Sequence, residues 1–203
     1  LLLFLILIMI AGFKFFLVFS LLIFFVLSII EFLNLTNRII LNKFNLIISN
    51  LFFIIYIFCF CLLFFYFSNF IQSKVIIFSL LLSCIASDIG GYVFGKLFKG
   101  PKLIKISPNK TYSGALGSLI FSSVIFSSLI FFFTNNLNLI IILIGIITSV
   151  ACQIGDLFFS YLKRKAKIKD TGNFLPGHGG VLDRLDGILL GVPLGFFSLT
   201  ILY

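Results

Sequence analysis

Long apolar runs broken by short polar connections set the pattern of this 203-residue chain. A helix needs about 20 such residues to cross the hydrocarbon of a bilayer, and the chain divides into runs of that kind almost end to end. Leu1–Gly12 is apolar but short of a full span, and the chain starts on Leu rather than Met, so residues are expected to be missing before it. A cleaved signal peptide is disfavoured there, because no basic region precedes the run and no small-x-small site leads into a polar chain. A second span is predicted over Phe15–Leu33, ending at Glu31 and the polar loop Asn34–Asn45 with Arg38 and Lys43. A third covers Leu46–Phe67, followed by the SNFIQSK connection, and a fourth covers Val75–Phe98 and carries Asp88 within it. The segment Lys99–Tyr112 reads as a basic, polar loop. Ser113–Phe133 and Leu139–Leu162 make two further spans joined by the uncharged turn TNNLN, and Leu185–Tyr203 closes the chain. Ser160–Asp186, SYLKRKAKIKDTGNFLPGHGGVLDRLD, is the one stretch that does not look like lipid-facing helix.

Composition supports this division. With 61% hydrophobic residues, 10% charged residues and a mean hydropathy of +1.27, the chain cannot present the polar surface of a soluble domain. The expected fold class is an all-α integral membrane protein, a polytopic bundle of about seven transmembrane helices with a cytoplasmic N-terminus. The 30 Phe and the absence of Trp point to an AT-rich coding sequence, so no Phe stripe is assigned a function. Cys59, Cys61, Cys84 and Cys152 all fall in apolar runs without a His partner or a ribbon-like pair, and are expected to be buried small hydrophobes rather than disulfide or zinc residues.

A net charge of +9 would raise nucleic-acid binding in a soluble protein; here the basic residues sit in short loops, where retention on the cytoplasmic side explains them without nucleic acid. Seven spans with the N-terminus inside put Lys96 and the Lys and Arg of the 34–45, 99–112 and 163–184 stretches on one side. Only Lys14 and Lys74 fall outside. The same count brings the 99–112 loop and the 160–186 stretch to one face. No linker or internal repeat divides the chain, so one domain, 1–203, is expected, with a cytoplasm-facing catalytic segment at 155–187.

Acids inside spans carry the next argument, since a carboxylate in hydrocarbon costs a few kcal/mol and persists where it has a partner or a wet cavity. Asp88 and Asp156 are such residues. After Asp88, Gly91, Tyr92 and Gly95 recur at helical offsets, with the glycines allowing another backbone to come close. Around Asp156, Gln153, Ser160 and Lys163 share a helical face. The plainer alternative for both acids is a buried polar patch that only locks helices together.

In the polar stretch, Asp183 and Asp186 stand three apart, a spacing that projects both carboxylates from one helix face and suits a metal. Gly177, Gly179 and Gly180 precede them, and a helix N-terminus adds its dipole, so backbone N–H groups can turn toward an anion such as phosphate. Two hard-oxygen carboxylates with an anion-binding turn suit Mg2+ holding nucleotide phosphates. Lys163, Arg164 and Lys169 can supply further counter-charge. His178 reads first as a turn hydrogen-bonder, with a ligand or base role as the alternative.

Together these residues resemble the CDP-diacylglycerol synthases, also called phosphatidate cytidylyltransferases. The family's C-terminal pattern of Lys-Arg, Lys-Asp, Pro-x-His-Gly-Gly and Asp-Arg-apolar-Asp is matched throughout Ser160–Asp186. The resemblance continues in GDL at Gly155–Leu157, in SD and GGYVFGK within Ser87–Lys96, in SPNKT at Ser107–Thr111 and in IEF around Glu31. It implies transfer of a cytidylyl group from CTP to phosphatidic acid, giving CDP-diacylglycerol and pyrophosphate in phospholipid biosynthesis. The resemblance also implies a requirement for Mg2+, with which a second metal or a monovalent cation is compatible. It implies Asp156, Asp183 and Asp186 as metal ligands. Lys163, Arg164, Lys169 and Arg184 would bind phosphates, while Ser107, Lys110 and Thr111, with His178, Gly179 and Gly180, would contact substrate. The expected setting is the inner (plasma) membrane, multi-pass, with the active site cytoplasmic and a homodimer compatible with the family.

Three departures stand out. Phe159 replaces an acid usual after GDL-x, so restoring Glu there is expected to alter metal dependence more than lipid affinity. Asn109 replaces a Lys, and Tyr112-Ser113 replaces an aromatic-Glu pair. The chain is also short for the family. Two rival readings stay open: a CDP-alcohol phosphotransferase, through DRLDG at Asp183–Gly187, and a cation transporter or channel using Asp88 and Asp156. The first lacks the family's Ala-Arg and later acids; the second leaves the Gly-rich turn and basic cluster without a role.

Overall fold

The computed structural model describes residues 14–104, 107–172 and 179–202. Among them six helices and one hairpin follow in the order α1 (Lys14–Ile39), α2 (Lys43–Phe67), α3 (Ile71–Phe98), β1 (Lys102–Ile104), β2 (Ser107–Thr111), α4 (Tyr112–Thr134), α5 (Leu139–Lys165) and α6 (Leu182–Leu202). All six helices are long and apolar enough to cross a membrane. Large apolar side chains cover their outer faces, among them Phe15, Phe52, Phe132 and Leu139 at 73–80% exposure. No soluble fold tolerates so much exposed apolar surface, and the chain is a polytopic helical membrane protein. The span expected over Leu1–Gly12 lies outside the described residues.

The helices overrun the apolar runs. α1 continues past Leu33 through Asn34, Asn37 and Arg38, so Glu31 lies within a helix and not at its end. α3 begins at Ile71, four residues before Val75, and α6 begins at Leu182, which puts Asp183 in its first turn. The expected 99–112 loop is instead partly an antiparallel hairpin, with Lys102 opposite Thr111 and Ile104 opposite Ser107. Its strands are too short and too rich in Lys and Pro to read as strands from sequence.

The chain forms two compact units, Leu1–Lys74 with Leu162–Leu185, and Val75–Tyr161 with Asp186–Tyr203. In the first, α1 and α2 pack on each other. Phe32 stacks on Phe53 with ring centroids 3.8 Å apart, and the Thr36 hydroxyl donates to Asn50 Oδ1 at 2.8 Å, a polar tie of the kind that joins helices in lipid. At the C-terminus of α5, Lys167 takes a left-handed φ of 57°. Its N–H bonds the Arg164 carbonyl while Ile168 N–H bonds that of Lys163, a Schellman stop that turns the chain into the signature stretch.

In the second unit, α3 and α4 cross on small residues. A Cβ on Gly90 would lie 2.6 Å from Gly117 O, and one on Gly91 would lie 2.7 Å from Ser118 Oγ. The expected close approach beside Asp88 therefore holds for the glycines, whereas Tyr92 is 68% exposed and takes no part in it. α5 and the 186–202 part of α6 meet in the same manner, with Gly155 against the Asp186 carbonyl and Gly187 against Cys152. All four cysteines are free; Cys84 and Cys152 are buried, but Cys59 is exposed on α2, not buried as expected.

Candidate active site

Within the first unit, Asp183 organises the signature stretch. Its Oδ1 accepts from Lys163 Nζ at 2.8 Å, and its Oδ2 accepts from the N–H of Thr171 at 2.8 Å and of Gly180 at 3.0 Å. Both side chains of the ion pair are nearly closed off, at 12% for Lys163 and 8% for Asp183, so the pair ties the end of α5 to the start of α6. Gly179 holds a φ of +82°, the left-handed corner that only Gly enters at no cost, and leads into α6.

A second carboxylate, which sequence reasoning assigned no role, completes this arrangement. Glu31 of α1 is 5% exposed. Its Oε1 accepts from Val181 N–H, and its Oε2 from Leu182 N–H and the Thr171 hydroxyl, at 2.7–2.8 Å. The first N–H groups of a helix have no partner within it, and Glu31 caps those of α6 from another helix. Of the glycine amides expected to turn toward an anion, that of Gly180 is taken by Asp183. The amides of Thr171 and Gly180 are engaged by Asp183, and those of Val181 and Leu182 by Glu31. Only the IEF motif had marked Glu31, and its partners lie 140–151 residues away in sequence.

Arg164, Lys169 and Arg184 are exposed, and Arg164 also reaches the Ile168 carbonyl at 3.5 Å. His178 and Gly177 lie outside the described residues.

In the second unit, Lys110 of β2 forms an ion pair with Asp156 of α5, and Ser160 Oγ donates to Asp156 Oδ1 at 3.3 Å. The pair is more open than the first, at 27% and 31%. Thr111 is committed elsewhere: it caps α4, its Oγ1 accepting from Gly114 N–H at 3.1 Å, and so anchors the hairpin strand that presents Lys110. Ser107 is half-buried on the same strand. Gln153, expected beside Asp156, instead donates to the Ala115 carbonyl and to Ser149. Asp88 Oδ1 accepts a long contact from Cys152 Sγ at 3.9 Å. Asp186 Oδ1 accepts from Gly187 N–H at 2.9 Å. Phe159 is 4% exposed and packs edge-on against Phe158, so this position is apolar core and not a vacant ligand place.

A model of the cytidylyltransferase family matches residues 1–202. The chain belongs to the cytidylyltransferase family. Within that family it is 39% identical over 127 residues to a phosphatidate cytidylyltransferase of Mycobacterium leprae, covering 62% of this chain and 41% of the relative. It is 46% identical over 110 residues to that of Staphylococcus haemolyticus, covering 53% and 42%. With that of Rickettsia felis it shares 43% over 126 residues, covering 56% and 55%. The chain thus spans about half the length of the curated cytidylyltransferases it matches.

Among the described residues no three His, Cys, Asp or Glu side chains gather into a ready metal cage. The donor chemistry nevertheless fits Mg2+: Asp156, Asp183 and Asp186 offer hard carboxylate oxygens on helices, and the partners of the first two include flexible Lys ammoniums that a dication can replace.

Proposed function

We propose that this protein transfers the cytidylyl group of CTP to phosphatidic acid, as the names of its relatives say of them. A phosphate oxygen of phosphatidic acid bonds to the α-phosphorus of CTP, the bond from that phosphorus to the bridging oxygen breaks, and pyrophosphate leaves with the electron pair. The attacking oxygen is already an anion at neutral pH, so no strong general base is needed. The demand is to hold two mutually repelling phosphates in line and to neutralise their charge. Arg164, Lys169 and Arg184 bind phosphate oxygens, and Lys110 and Lys163 move between their Asp partners and substrate. Asp156, Asp183 and Asp186 would each offer carboxylate oxygens to Mg2+, which, when bound, supplies charge neutralisation at the phosphates. Reaction takes place at the cytoplasmic face of the inner membrane, where CTP is found and the lipid arrives from the bilayer.

The observation that carries this reading is the Lys–carboxylate architecture of the signature stretch, in a chain whose family is the cytidylyltransferases. Membership of that family speaks against the phosphotransferase and the cation pathway. Purified protein in mixed micelles of detergent and phosphatidic acid, given CTP and Mg2+, is expected to release pyrophosphate in step with CDP-diacylglycerol. Pyrophosphate absent with both substrates and metal present contradicts it.

A further inference from the structure

We propose that Glu31 is a positioning residue for the turn before α6: from α1, its carboxylate sets the Gly179–Gly180 corner and the start of α6 in the arrangement from which Asp183 acts. The proposal rests on the reading of 160–186 as the segment that meets nucleotide and metal.

Three features of the site support it. All three donors to Glu31 are neutral, two backbone amides and one hydroxyl, and the amides are the leading N–H groups of α6, where a helix dipole favours negative charge. Room for the carboxylate is reserved by two glycines. A Cβ on Gly172 would come 2.8 Å from Glu31 Oε1, and one on Gly180 would run into the Glu31 carboxylate and the Thr171 hydroxyl. Thr171, finally, joins the two acids, its hydroxyl on Glu31 and its N–H on Asp183, so a shift of Glu31 passes directly to Asp183.

The chemistry of an isosteric change is unambiguous. In Glu31→Gln one oxygen becomes an NH2 group. If it replaces Oε1 it faces Val181 N–H, and if it replaces Oε2 it faces Leu182 N–H, so either way one buried backbone donor loses its acceptor. Thr171 can rotate its hydroxyl to adapt; an amide cannot. Charge is lost at the same time, while volume and apolar packing are kept.

The test compares the full chain with Glu31→Gln, Glu31→Asp and Gly180→Ala, each in detergent micelles, by backbone hydrogen exchange over 179–185 and by steady-state kinetics. Glu31→Gln is expected to speed exchange there by about 10- to 100-fold and to lower kcat by a similar factor, with the KM for phosphatidic acid within about twofold of the parent. Glu31→Asp, which keeps the charge but is one methylene shorter, recovers part of both. Gly180→Ala, which crowds the carboxylate, reproduces the Gln phenotype. Unchanged exchange in Glu31→Gln overturns the proposal, as does faster exchange with unaltered kcat. If the parent itself makes no CDP-diacylglycerol, the reading of the reaction fails, and the exchange data still decide whether Glu31 holds the turn.

Discussion

Asp183 is the residue on which the signature stretch closes, since one carboxylate takes a Lys ammonium and two backbone amides. Asn at this position keeps a single acceptor oxygen and puts an NH2 against a donor. Asp183→Asn is expected to insert in the membrane normally yet lose at least about two orders of magnitude in turnover. Near-parental CTP turnover in the inserted variant removes the role assigned to it. Phe159 gives the opposite lesson. Its replacement of an acid looked like a lost metal neighbour, but the ring is 4% exposed. Phe159→Glu is therefore expected to destabilise the protein by about 3–5 kcal/mol, measured as a fall in unfolding midpoint, rather than to change its Mg2+ titration. A stable variant with a shifted Mg2+ optimum contradicts this. Asp156, Lys163 and Asp183 were legible as chemistry because an acid or a basic run at a span end is costly or conspicuous. Glu31 was not, because its donors come from the far end of the chain, and local spacing carries no trace of them.

At the scale of elements, six spans were readable from apolar length alone. Their ends were not, because a helix backbone satisfies itself through polar residues such as Asn34, Asn37 and Arg38 as readily as through Leu. The hairpin escaped notice for a related reason: its two strands are held by only a few rungs and by the Thr111 cap of α4. Glycine contacts between helices, by contrast, were partly foreseen around Asp88. Lipid offers apolar side chains no reason to leave it, so helices join where backbones can approach. At Gly117 an added Cβ would meet the Phe94 ring and lie 2.7 Å from Gly90 O. Gly117→Val is expected to cost about 1–3 kcal/mol and to loosen the crossing of α3 and α4, read as a lower thermal midpoint in detergent. An unchanged midpoint shows that the crossing bears no such constraint.

For the molecule as a whole, an apolar chain interrupted by a long charged stretch is what the proposed reaction asks for. One substrate is a lipid that stays in the bilayer, and the other is a polyanion that cannot enter it. The signature stretch follows α5 and leads into α6, so its charged groups lie at helix ends. The most direct measurement of the central claim follows the label: full chain, phosphatidic acid, Mg2+, and CTP carrying 32P in either the α or the γ position. Cytidylyl transfer predicts that α-label enters the lipid fraction as CDP-diacylglycerol while γ-label leaves as pyrophosphate, and that Asp183→Asn abolishes both. Label from the γ position in lipid, or no α-label in lipid with folded parent protein and metal present, would contradict it.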